Sequence, residues 1–265
     1  MGKNIKKISS GFLTGTKYYN DKSNWEDGIL YLNEYLLCIE DKTLSHYLIK
    51  DGTKVISCDA FSESLVMSVV LPNSLKYINE YAFYNSKLTS VTIPSGVKEI
   101  MFGAFANCSK LKDVIIENGV EIFESAVFQN CTTIQSIHIP DSVTKLGDGE
   151  GVFQNCVSLQ SVRLSDNLVE LGADCFNNCS QLNEIELPDS LRKIGYTPFC
   201  NSGIYNNSKY WNNGAFIISN YLLEVNKDIS GEYVIQDGIK GIAYSAFGGS
   251  NLSSISIPKS VKFIC

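Results

Sequence analysis

One unit of about 23 residues returns along nearly the whole chain, and that recurrence narrows the folds open to it more than any other feature. Leu88-Thr-Ser-Val-Thr-Ile-Pro-Ser-Gly-Val-Lys-Glu-Ile is followed by Ala104-Phe-Ala-Asn-Cys. Ile134-Gln-Ser-Ile-His-Ile-Pro-Asp-Ser-Val-Thr-Lys-Leu is followed by Val152-Phe-Gln-Asn-Cys. Leu182-Asn-Glu-Ile-Glu-Leu-Pro-Asp-Ser-Leu-Arg-Lys-Ile repeats the theme. Units begin at Leu44, Val66, Leu88, Leu111, Ile134, Leu159, Leu182, Ser230 and Leu252, with Ile204 to Ile229 interrupting the series.

The alternation in Val91-Thr-Ile93 sends every second side chain inward, so each unit carries a short strand. Pro94 closes it, because proline has no N–H to give a ladder. Val97, Ile100, Ala104 and Phe105 then bring apolar side chains back beneath the strand. One such coil leaves two flat sides bare, so coils must stack. The expected fold is a repeat β-solenoid with parallel strands, one per unit, about 4.8 Å apart.

A longer period runs through the same residues. Shifted by 186, residues 4–79 align with 190–265 without a gap. Ile8 meets Ile194, Tyr19 meets Tyr205, Trp25 meets Trp211, and Ala60-Phe61 meets Ala246-Phe247. The chain starts and stops inside a unit, so a longer array is expected around it, and residues 1–265 form one solenoid. Gly28-Ile-Leu-Tyr-Leu-Asn-Glu-Tyr-Leu-Leu-Cys-Ile and its copy Gly214-Ala-Phe-Ile-Ile-Ser-Asn-Tyr-Leu-Leu-Glu-Val read as β-hairpins turning at Asn33-Glu34 and Ser219-Asn220. The two inserts span about 25–43 and 211–229. Trp25 and Trp211 precede the hairpins and either pack them on the coils or stand exposed for contact with a sugar or protein.

The strand–Pro–Ser–Val, Ala-Phe and Asn-Cys pattern resembles the BspA-type leucine-rich repeat, also called the Treponema-pallidum-type repeat. The resemblance covers essentially the whole chain. It implies a right-handed leucine-rich-repeat superhelix. It also implies display on the surface of host-associated bacteria or of protozoan parasites, and adhesion to host or neighbouring-cell proteins or glycans, host extracellular matrix among them. Intracellular members are also suspected, so a scaffold or regulator of a partner enzyme inside the cell is the alternative.

Nine cysteines invite a search for disulfides or metal. Cys108, Cys131, Cys156 and Cys179 instead fill one register of four consecutive units, each after an Asn. Units with this Cys take one more residue to reach the next unit than units without it, so the Cys belongs to a turn geometry. A ladder of buried thiols is the expectation. No C-x-x-C pair exists, and no metal or other cofactor is expected.

Composition removes several function classes. The net charge of −6 gives no bulk basic footprint for nucleic acid. No apolar run approaches the ~20 residues of a membrane span, so no membrane insertion is expected. Met1 to Ser10 lack the apolar centre of a secretion signal. There is no G-x-S-x-G, H-E-x-x-H or P-loop, and with only His46 and His138 for imidazole chemistry the chain is read as a non-enzyme.

Function is therefore expected on the outward strand positions, which fall in two columns from Ser68 and Val70 to Ser254 and Ser256. Within them His138, Arg163, Glu184 and Glu186 lie on three adjacent units. They form either a solvated face with incidental ion pairing or a mixed-charge recognition patch. Glu184 and Glu186, two apart on a strand, would stand about 7 Å apart, within the range of glycosidase carboxylates but on an open surface. Gly147-Asp-Gly-Glu-Gly151 lengthens its unit and has the composition, without the spacing, of a calcium loop. A monomer is expected, engaging a protein or glycan.

Overall fold

Every coil is laid down by the same local rules. The computed structural model describes residues 5–265 of the chain. Met1 to Asn4, part of the solenoid expected over 1–265, lie outside the described residues. In the coil from Leu88, Ser90–Ile93 form a strand whose residues alternate exposed and buried, and Pro94 ends it. Glu99–Ile100 form a second, two-residue strand, and Ala104-Phe105 turn inward behind it. The chain is a β-solenoid in which parallel strands of successive coils are about 22 residues apart.

The continuous ladder is not the one that alternation singles out. A ten-stranded sheet begins with Trp25–Glu26, Ile29–Leu32 and Tyr35–Ile39. It continues through the two-residue strands Val55–Ile56, Tyr77–Ile78, Glu99–Ile100, Ile122–Phe123, Lys145–Leu146, Glu170–Leu171 and Lys193–Ile194. The longer alternating strands pair only in twos: His46–Leu48 with Ser68–Val70, Ser90–Ile93 with Asp113–Ile116, Ser136–His138 with Ser161–Arg163, and Ser230–Val234 with Asn251–Ser256. The single ladder expected on that face is thus broken.

The short ladder is unbroken from coil to coil, whereas the longer strands let go at every second coil. Between the two faces runs a column of phenylalanines, Phe61, Phe83, Phe105, Phe128, Phe153, Phe176 and Phe199. Their successive ring centroids lie 4.8–5.6 Å apart and their planes within 13°. That spacing runs from the strand value to somewhat above it.

Beside this column the Asn-Cys turns stack in register. Asn107, Asn130, Asn155 and Asn178 all take left-handed φ of 60–63°. Their side-chain amides form a chain: Asn130 donates to Asn107, Asn155 to Asn130 and Asn178 to Asn155, at 2.6–2.7 Å. Cys108, Cys131, Cys156 and Cys179 are fully buried. Each thiol donates to the carbonyl of the phenylalanine one coil earlier: Phe83, Phe105, Phe128 and Phe153, at 3.1–3.2 Å. The sulfur fills the interior while satisfying a backbone oxygen.

Each hairpin insert is a three-stranded antiparallel meander. Trp211–Asn212, Ala215–Ile218 and Tyr221–Val225 repeat the first three strands. The turns at Asn33-Glu34 and Ser219-Asn220 fall where the sequence places them. The extra strand enters through Asp27-Gly28 and Asn213-Gly214, whose positive φ angles of 48°/75° and 48°/76° suit a two-residue hairpin turn. Trp25 and Trp211 are half-buried, and their indole N–H groups donate to Tyr19 O and Tyr205 O at 2.9 and 2.7 Å. They fasten the meanders, the packing alternative of the two read from sequence.

Candidate functional site: the strand face

The outward residues of the longer strands stand in two columns, set by strand register. His46 pairs with Ser68, Ser90 with Asp113, and Ser136 with Ser161 in the first column. In the second, Leu48 pairs with Val70, Thr92 with Ile115, and His138 with Arg163. One half of the second column is largely aliphatic. Leu48, Val70 and Ile115 expose 69%, 60% and 60% of their surface. Leu48, Val70 and Ile115, with Thr92 in the coil between the last two, leave a largely apolar stripe on a water-facing surface. A shallow depression of about 330 Å³ lies along it, lined by Val70, Thr92, Asp113, Ile115 and Glu117 among others.

The other half is charged and ends in a cleft. Arg163, Asp166, Glu184 and Glu186 line a cavity of about 620 Å³ together with Lys209, Tyr210 and Ser219 of the second insert. Three of the four residues singled out from sequence, Arg163, Glu184 and Glu186, thus share one cavity. His138 is exposed and sits beside Arg163 in strand register, outside the cavity lining. Among the described residues no salt bridge joins Arg163, Asp166, Glu184, Glu186 or Lys209 to any partner.

Glu184 and Glu186 do not lie on a strand, contrary to the sequence expectation. The amides of Glu184, Ile185 and Glu186 make no backbone hydrogen bond among the described residues. The insert supplies the reason, since it takes the place where another coil would have stacked. The Leu187 amide donates to the Ser219 hydroxyl at 3.0 Å, and the Tyr221 hydroxyl donates to Pro188 O at 2.9 Å. The segment is tied to the insert instead of to Ser161–Arg163, and the cleft opens between them. The 7 Å carboxylate spacing rested on strand rise and loses its basis here.

Two features of this face escaped the repeat register. Leu48 belongs to the first unit, whose His46-Tyr-Leu48 alternation extends the aliphatic column by one coil. Lys209, Tyr210 and Ser219 sit on an insert, whose placement no repeat encodes.

The repeat has counterparts in known proteins. The pattern of the BspA type leucine rich repeat region matches residues 37–150 and 149–265. The chain belongs to the BspA-type leucine-rich-repeat family. This BspA-type chain is similar in fold to a leucine-rich repeat protein from Eubacterium ventriosum, at 22% identity and a TM-score of 0.56, over 71% of this chain and 53% of that one. It is also similar to one from Bacteroides ovatus, at 20% identity and a TM-score of 0.50, over 90% of this chain and 70% of that one. The BspA-type chain thus spans about half the length of the Eubacterium protein. No match is found among curated protein sequences.

Proposed function

We propose that this BspA-type chain is a non-enzymatic binding protein, displayed on a cell surface, that holds a protein partner along its strand face. The observation that carries the reading is the second column: a largely aliphatic stripe of Leu48, Val70 and Ile115, with Thr92 among them, on the same face as a cleft whose charges form no salt bridge among the described residues. Such a face offers apolar area for burial and separate charges for register, the two ingredients of a protein interface. The stripe is largely aliphatic, whereas sugars are held by aromatic rings and dense polar networks, so a protein ligand fits better than a glycan. Family membership supports protein binding and surface display.

The test is a binding screen of the purified chain against immobilised extracellular-matrix proteins and a glycan panel. The expected result is saturable binding to a protein. The double variant Val70→Glu, Ile115→Glu weakens it about 100-fold, as for loss of a central apolar anchor worth about 2–3 kcal/mol. A ligand whose affinity is unchanged by that variant and by Glu184→Gln would contradict the proposal.

A further inference from the structure

The Ala-Phe turns carry a second surface that the strand face does not use. Tyr81, Tyr84 and Phe102 meet there edge to face. The Tyr81 ring lies 5.4 Å from Tyr84 at 87° and 5.4 Å from Phe102 at 77°. Together they line a depression of about 430 Å³ whose charged residues are Asp59, Glu63 and Glu150. No lysine or arginine lines it. Lys7 is paired with Glu80, the neighbour of Tyr81 in the chain. Among the described residues none of the three carboxylates enters a salt bridge.

Tyr81 occupies an unusual backbone position. In successive coils the same turn is filled by Asp59, Tyr81, Gly103 and Ala126, all with φ of 55–60°. A bulky residue is disfavoured there. Gly103 leaves the space the ring needs, since a Cβ at Gly103 would come within 2.8 Å of the Tyr81 ring. Glu150 arrives from the lengthened Gly147–Gly151 loop, the segment that reads from sequence as calcium-like in composition. Among the described residues no three acidic, histidine or cysteine side chains are grouped to hold a metal ion. Asp59, Glu63 and Glu150 share the lining with the three rings.

We infer that this basin takes a lysine side chain from a basic segment of a partner protein. A lysine has both halves of the required complement. Its aliphatic stem lies on aromatic carbon, and its ammonium meets ring faces and carboxylates together. The net negative lining supplies the charge complementarity that selects a cation. The site lies on the turns and is distinct from the strand face, so it stands or falls apart from the function proposed above.

The experiment titrates the intact chain with acetyl-Lys-Lys-Lys-amide and with the same peptide acetylated on every side chain. Affinity is read by calorimetry and location by the ring resonances of Tyr81, Tyr84 and Phe102. The lysine peptide is expected to bind saturably and shift those three rings, and the acetylated peptide to leave them still. Tyr81→Gly, which suits the positive φ, is expected to fold with a cooperative melt and to weaken binding about tenfold. The double variant Glu63→Gln, Glu150→Gln is expected to weaken binding several-fold and to flatten its dependence on salt. Asp51→Asn, on an exposed turn apart from both surfaces, leaves lysine-peptide binding unchanged. Should Tyr81→Gly fail to melt cooperatively, Tyr84→Ala is measured in its place with the same expected loss. Equal binding of the acetylated peptide, unshifted rings, or full affinity in the tyrosine and glutamine variants would overturn the inference.

Discussion

Removing one ring from the phenylalanine column tests how the coils are held together. Phe105 is fully buried and stacked on both sides, 5.1 Å from Phe83 and 5.4 Å from Phe128. A buried Phe→Ala change costs about 3–5 kcal/mol through lost transfer energy and the cavity left behind. Two ring contacts, each of about 0.5–1.5 kcal/mol, put Phe105→Ala toward the upper end of that range. Phe199 has a stacked phenylalanine on one side alone, Phe176 at 5.4 Å, so Phe199→Ala should fall lower in it. Ser90, exposed on its strand, sets the baseline, and Ser90→Ala should stay within about 0.5 kcal/mol. The assay is urea unfolding followed by indole fluorescence in two single-tryptophan backgrounds, one retaining Trp25 and one Trp211. A stack bound by nearest-neighbour contacts can come apart at its weakest interface. Phe105→Ala is therefore expected to lower the Trp25 midpoint more than the Trp211 midpoint and to separate two transitions that coincide in the parent. Equal effects of Phe105→Ala and Ser90→Ala would refute the reasoning.

The thiols and one carboxylate give two more predictions. Burial pushes Cys108 up to about 11 and Cys179 to about 12, and raises Cys131, Cys156 and Cys175 well above the usual thiol value. Because the thiolate is the reactive form, a disulfide reagent at pH 8 should leave these five cysteines untouched in the native protein and label them on unfolding. Fast native labelling of Cys131 or Cys156 would contradict their placement. Glu124 is half-buried, and burial raises its carboxyl above the usual 4.5, with the Phe102 amide, donating at 2.8 Å, pulling the other way. A raised acid binds its proton more tightly in the folded state, so its contribution favours folding at low pH and is lost as pH rises through the folded value. Glu124→Gln keeps an acceptor for Phe102 and should be more stable than the parent at pH 7, with the gain vanishing below the unperturbed value of 4.5. Thermal melts from pH 3 to 8 check the sign, and a gain that grew toward low pH would count against it.

How far the sequence leads depends on what each residue is repeating. Val91, Ile93, Ile100 and Phe105 recur at fixed positions because every coil must seal the same interior, so the core columns and the stacked Cys108–Cys179 register were open to reading. Hydrogen bonding was not. Alternation reports which side chains are buried, and it is strongest in Ser90–Ile93, yet the unbroken ladder runs through Glu99–Ile100 and its copies. Which ladder stays unbroken is a property of the whole stack and is not written in one unit's alternation. Arg163, Glu184 and Glu186 were legible as neighbours through repeat spacing. The cleft they line was not, because Ser219 and Tyr221 of the insert pull Leu187 and Pro188 aside. Glu150 escaped for a similar reason, since its loop departs from the repeat length and sets it beside rings from earlier coils.

Amide hydrogen exchange, read residue by residue, tests the central claim that the coils are bound in register by the short ladder, while the strand face pairs only in twos and leaves Glu184 to Glu186 untied. The amides of Met101, Glu124, Gly147, Gly172 and Gly195 donate one after another to Ile78, Ile100, Phe123, Leu146 and Leu171 across that ladder. They are expected to exchange slowly and with similar protection, while Glu184, Ile185 and Glu186 exchange near the rate of an unprotected chain. Slow exchange at Glu184 to Glu186, with rapid exchange at Gly147 and Gly172, would contradict it.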